Sequence, residues 1–294
     1  MKIALTSIAT LCLLAAANAD ETPSERSPAP VFTGGVVGVQ HLTEPDRSGK
    51  YRAAGGALYI HNDGWHRLSD KQRRLMLDVF QGAPIAVELG FIPIDGWPKL
   101  YRRAYVPYGI QPTFIAANAF DQNNSPTPQQ WERYTRGLRA AGVKPTVRIL
   151  PTFEYANFGE NLKTLADNQL SDRTDFQQIV RHAGGMVIDS PPQYFFQRER
   201  HYRDWIIDAI RWCRTQKLHC VVIVSPHHSG AAFPAVTDRF IAHLRRHEAL
   251  PDAWVCENYS NKVLEDFPNR MGHEDQPATT LGVGLQLLRR STGE

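Results

Sequence analysis

The sequence has 294 residues, is 42% hydrophobic and 21% charged, and carries a formal net charge of +3. That mix excludes a collagen-like repeat, a long coiled coil and extended disorder. The near balance of acidic and basic side chains leaves no basic footprint for nucleic acid, and a chain of this size buries a large core without disulfide or metal staples.

Met1 and Lys2 open a short basic start, and Ile3 to Ala17 is apolar or small. Ala17-Asn18-Ala19 has the A-x-A form of a signal-peptidase site, and polar Asp20-Glu21-Thr22 follows. The run is too short for a comfortable membrane span. These features predict a signal peptide over 1–19, a flexible Pro/Ser-rich segment over 20–34, and one domain over 35–294. The expected location is periplasmic or secreted, with no stable span after cleavage. Export makes the cysteines readable. Cys12 leaves with the signal, and Cys213, Cys220 and Cys256 remain. The short Cys213–Cys220 loop suits one bridge with one thiol left over, and three buried thiols is the alternative.

Short β-rich runs alternate with longer amphipathic ones. The strand candidates are Gly35–Gln40, Gly56–His61, Ile85–Leu89, Thr113–Ala117, Thr146–Leu150, Gly185–Ile188, Cys220–Val224, Trp254–Cys256 and Leu281–Leu285. Of the first two, one is needed to complete eight, and the other reads as an accessory hairpin partner. Between them lie helices. Ser69 caps one over Asp70–Phe80, and Thr127-Pro128 opens another with Trp131, Tyr134, Leu138 and Ala141 on one face. Two further apolar stripes run Tyr202 to Cys213 and Val236 to Leu244. Strands recurring about every 27 to 40 residues with helices between them predict βα units around a parallel sheet. Eight such units make a single-domain α/β protein, a (β/α)8 TIM barrel. No G-x-G-x-x-G follows a strand and no P-loop occurs, so no nucleotide cofactor is expected.

In such a barrel the chemistry sits at the C-terminal strand ends. Those positions hold Glu88, Asn118, Arg148, Glu154, Asp189, Ser225, His227, His228, Glu257, Asn258 and Gln286. Alternation along each strand turns Glu88, Arg148, Asp189 and Glu257 inward, where carboxylates are costly unless paired or functional. Two carboxylates at one mouth suit glycosidic bond cleavage. One protonates the leaving oxygen, and the other attacks the anomeric carbon or activates water. Glu257 is the expected nucleophile or base, Asp189 the expected acid, and Glu154 its alternate. Glu88, Asn118, His227, His228, Asn258, Tyr259, His61 and Trp65 are the expected substrate contacts, with Arg148 tuning a carboxylate or pairing with Glu88. Aromatic residues after the strands, such as Trp97, Tyr101, Phe120, Phe153, Tyr155, Phe158, Tyr194 and Phe195, suit stacking on sugar rings.

In strand periodicity, strand-end Asp189 and Glu257, and aromatic loops, residues 35–290 resemble the (β/α)8 glycoside hydrolases in general. Many of these carry Asn-Glu after strand four and Glu after strand seven. Thr152-Phe153-Glu154 lacks that Asn, and Glu257 matches the second element. The resemblance implies a poly- or oligosaccharide substrate, with no metal and no cofactor. A metal-dependent carbohydrate esterase or other metallohydrolase using His61, Asp189 and His227 is a second reading. It lacks an H-E-x-x-H motif. A glycan-binding barrel without activity is a third.

Overall fold

The computed structural model describes residues 29–90, 94–120, 126–154, 174–198, 200–226, 229–258 and 271–292. Eight parallel strands close into one barrel in chain order: β1 Val31–Gly35, β2 Ala57–Ile60, β3 Ile85–Leu89, β4 Phe114–Phe120, β5 Arg148–Glu154, β6 Gly185–Asp189, β7 His219–Val224 and β8 Ala253–Asn258. The ends meet where β1 pairs with β8, Gly34 standing opposite Glu257. The helices α1 Pro45–Ala53, α2 Asn62–Arg67, α3 Asp70–Val79, α4 Trp97–Ala104, α5 Pro128–Ala140, α6 Thr174–Ala183, α7 Pro192–Gln197, α8 Arg200–Thr215, α9 Phe233–Arg246 and α10 Thr280–Thr292 surround it. This is the α/β TIM barrel that the periodicity predicts.

Local chemistry accounts for the helix starts. At α3, Ser69 accepts from the Gln72 backbone while Gln72 reaches back to Ser69, a complete capping box. Thr127 and Gln130 build the same device at α5, with Pro128 in the first turn.

Two apolar cores result. One lies between strands and helices and includes Trp65, Trp97, Trp131, Phe195, Phe240 and Leu244. The other fills the lumen with Phe32, Tyr59, Phe114, Leu150, Val187, Val221, Ile223 and Val255 beside four alanines. The lumen residues sit at alternate strand positions, so each strand has one face in each core.

Three strand expectations differ from the structure. Gly35–Gln40 is not the first strand. That strand is Val31–Gly35, all but its last residue inside the segment expected to be flexible, and the chain then turns into a 3-10 helix over Val39–Thr43. Gly56–His61 supplies the second barrel strand, Ala57–Ile60, so no accessory hairpin is needed. The fifth strand is shifted to Arg148–Glu154 and runs through Pro151, which reads as a turn residue in sequence. Leu281–Leu285 is not a strand but the start of α10. Its Leu-Gly-Val-Gly-Leu alternation mimics a strand because the glycines serve close packing. A β-carbon at Gly284 would lie 2.4 Å from Thr33 Oγ1, and one at Gly282 would lie 2.2 Å from the Gln276 carbonyl. Gln286 therefore sits on a helix, donating to Asp238 Oδ1 at 2.6 Å, and not at a strand end.

Cys213, Cys220 and Cys256 are all buried thiols.

Candidate functional site

The lumen parity carries polar residues upward at the C-terminal strand ends. Leu150, Val187, Ile223 and Val255 line the interior. Two residues further along each strand stand Thr152, Asp189, Ser225 and Glu257, all buried. By the same step Tyr59 leads to His61 and Ala86 leads to Glu88. Glu88 and Glu257 are 1% and 0% exposed, so neither carboxyl is a solvated surface group.

Glu88 on β3 and Glu257 on β8 are separated by β1 and β2, yet they meet. The reason is glycine at the end of β1. Gly34 pairs with both Glu257 and Tyr59. A β-carbon there would lie 1.8 Å from the Tyr59 carbonyl oxygen. The β1 strand therefore places no side chain at this level, and the space is left to its neighbours. His61 Nε2 lies 3.8 Å from Glu88 Oε1 and 3.7 Å from Glu257 Oε1. Gly90 keeps another gap open, because a β-carbon there would be 3.2 Å from Glu88 Oε1 and 3.7 Å from Asn118 Nδ2.

The protons in this cluster follow from its hydrogen bonds. The His61 Nδ1 accepts from the Asp63 backbone N–H at 3.1 Å. Its ring proton is therefore on Nε2, the nitrogen facing both carboxyls. Burial pushes His61 down to about 4, so the ring is neutral near pH 7. The Tyr59 hydroxyl donates to Glu88 Oε2 at 2.7 Å. Burial, then the charges of Glu88 and Glu257, hold the phenol well above its ordinary range, so Tyr59 remains a donor. Burial pushes Glu88 up to about 7, opposed by the hydrogen bonds of Tyr59 and Glu257. Asp189, 4% exposed, also acts on the Tyr59 phenol, which puts it on the same lumen.

His61, Glu88 and Glu257 each offer one ligand atom, all within 4.8 Å of one another. That spacing approaches a metal-binding triad. The tautomer does not. A ligating Nε2 needs a free lone pair and an Nδ1–H that donates outward. Here Nδ1 accepts a hydrogen bond and Nε2 carries the ring proton. As built, the trio is a cluster of buried titratable groups whose His61 tautomer does not suit a metal.

The structure brings Glu257, Glu88, His61, Asn118 and Asp189 to one end of the lumen and removes other expected residues from it. Arg148 is at the opposite end, exposed at the first position of β5 beside Phe114 of β4. It shares Glu88's inward parity but not its height, so it neither pairs with Glu88 nor tunes a mouth carboxylate. Asn258 is consumed by the barrel closure. Its Oδ1 accepts from the Val36 and Val37 backbones at 2.9 and 3.1 Å, and its Nδ2 donates to the Val37 carbonyl at 2.8 Å. Trp65 is 2% exposed, donates to the Ala104 carbonyl at 2.9 Å and stacks edge-on with Tyr108. It locks α2 against α4 and presents no face to a ligand. Trp97, Tyr101, Phe153 and Phe195 are buried core residues as well. His227, His228, Tyr155, Phe158 and Tyr259 lie outside the described residues, as do the side chains of Glu154 and Phe120.

Tyr59 is the residue that sequence reasoning missed. Its signal was present, because it stands two positions before His61 in a β-rich run and so shares its face. Asn118 Oδ1 and Thr152 Oγ1 are buried without a hydrogen-bond partner among the described residues. They leave uncommitted polar atoms at this end of the lumen. Neither a protein-family model nor a curated protein sequence matches the chain.

Proposed function

We propose that the protein is an exported glycoside hydrolase whose acid–base pair is Glu88 and Glu257. The observation that carries this reading is the juxtaposition of two buried carboxyls on one His61 Nε2–H, at 3.8 and 3.7 Å, at the C-terminal end of a TIM barrel. Glycosidic hydrolysis needs one carboxyl protonated and the other ionised at the same pH. Glu88, pushed up to about 7, meets the first need. It protonates the leaving oxygen from Oε1 while Oε2 continues to accept from Tyr59. Glu257 attacks the anomeric carbon, its charge faced by His61 Nε2–H. Glu88 then deprotonates the water that releases the sugar. Close approach of the two carboxyls favours a retaining course, for which about 5–5.5 Å is usual, over inversion at about 6.5–9.5 Å. Asn118 and Thr152 offer hydrogen bonds to sugar hydroxyls, and Asp189 adds a third carboxyl on the lumen. The A-x-A pattern at Ala17-Asn18-Ala19 supports export.

The same trio favours a second reading, a metal-dependent hydrolase with His61, Glu88 and Glu257 as ligands. It requires the His61 ring to turn over or lose its Nε2 proton.

The test is a screen of cell-wall, exopolysaccharide and periplasmic glycans for new reducing ends, with metal analysis after dialysis. E88Q and E257Q are each expected to lose at least about 100-fold in rate while keeping the native circular dichroism. Full activity in both variants would remove the pair from the mechanism. Loss of activity on dialysis, restored by one equivalent of metal, would establish the second reading.

A further inference from the structure

The three mature cysteines are sorted by the fold. Cys256 lies on β8 opposite Val224 of β7. Cys220 is four residues before Val224 on that strand, so Cys220 and Cys256 are about 13 Å apart along the strands. A disulfide requires Cα atoms within about 7 Å, which excludes this pairing. The Cys256 thiol is engaged elsewhere, donating to the Thr280 carbonyl at 3.2 Å.

Cys213 and Cys220 are brought together. Cys213 is in the last turn of α8, and Cys220 is the second residue of β7. The link between them turns sharply. Leu218 N–H donates back to the Cys213 carbonyl at 2.8 Å, and Lys217 takes a left-handed φ of 55°. Both side chains enter the same core at 0% and 1% exposure, and both are free thiols in the structure. Nothing in the acid–base cluster uses them.

We propose that Cys213 and Cys220 are a disulfide in the exported protein, with Cys256 as its single thiol. The inference rests on export but not on glycosidase activity. The two S–H bonds are lost and one S–S bond forms. Two electrons and two protons pass to a disulfide of thiol–disulfide exchange donor class, which is reduced to two thiols. Both sulfurs are shielded from solvent once folded, so the bond forms as α8 and β7 dock.

Arg214 and Lys217 lie between the two cysteines, so trypsin separates them. The full chain is expressed with its own leader in a bacterial host, trapped with alkylating agent in denaturant and mapped without reductant. The expected result is a mature N-terminus at Asp20, the Cys213 and Cys220 peptides linked, and Cys256 alone alkylated. Reduction is expected to lower the thermal midpoint by about 5 °C. A processed chain with both peptides alkylated separately overturns the disulfide. An unprocessed cytosolic chain overturns export instead. The same map on protein carried out by a foreign leader then decides the disulfide.

Discussion

The Tyr59 hydroxyl donates a hydrogen bond to Glu88 Oε2 across 2.7 Å, directly above a lumen layer of Val, Ile, Leu, Phe and Ala. A neutral donor held against a buried carboxyl favours its ionised form. Burial acts the other way and is the stronger influence, leaving Glu88 at about 7. The phenol thus sets where, within the neutral range, this carboxyl titrates.

Replacing Tyr59 with Phe removes the donor and leaves the burial. Glu88 is expected to titrate about one unit higher in Y59F. Infrared titration of the carboxyl stretch, with E88Q to identify the band, measures this directly. An unchanged or lowered midpoint would show that the Tyr59 hydrogen bond does not control Glu88.

His61 and Glu88 are expected to impose opposite pH dependences on stability. Glu88 is raised from 4.5 to about 7, so the folded state holds its proton longer, and this contribution is lost as pH rises through that window. His61 is lowered from 6.5 to about 4, so the unfolded state binds the extra proton, and stability rises with pH between those values. The slopes oppose one another over the shared range, each at most about 1.4 kcal/mol per pH unit. In E88Q, urea midpoints are expected to climb from pH 4 to 6.5 more steeply than in the parent. In H61Q they are expected to fall from pH 4.5 to 7. Identical profiles for all three proteins would refute the coupling.

Asn258 is expected to act on stability. N258A leaves the Val36 and Val37 N–H groups and the Val37 carbonyl without the side chain they share. A loss of about 3 kcal/mol in urea denaturation is expected, with any remaining activity showing an unchanged KM. A KM effect without a stability effect would return Asn258 to the ligand side.

The sequence alone determined the architecture and the inward set. Strand spacing set the eight βα units, Ser69 and Thr127 set two helix starts, and alternation put Glu88, Asp189 and Glu257 on the lumen. These are local properties, governed by the two-residue period of a strand and the free N–H groups of a helix end. Only the tertiary structure decided height and partnership. Arg148 and Glu88 share a parity, but the register of the closed barrel puts them at opposite ends. Asn258 and Trp65 look like ligand groups in one dimension, but backbone groups just after β1 and at the end of α4 engage them first. Glu88 meets Glu257 because Gly34, far away in sequence, places nothing between them. Alternation tells which face a side chain takes. Which side chains then meet depends on strand stagger and on space left by neighbours, and both exist only once the barrel is closed.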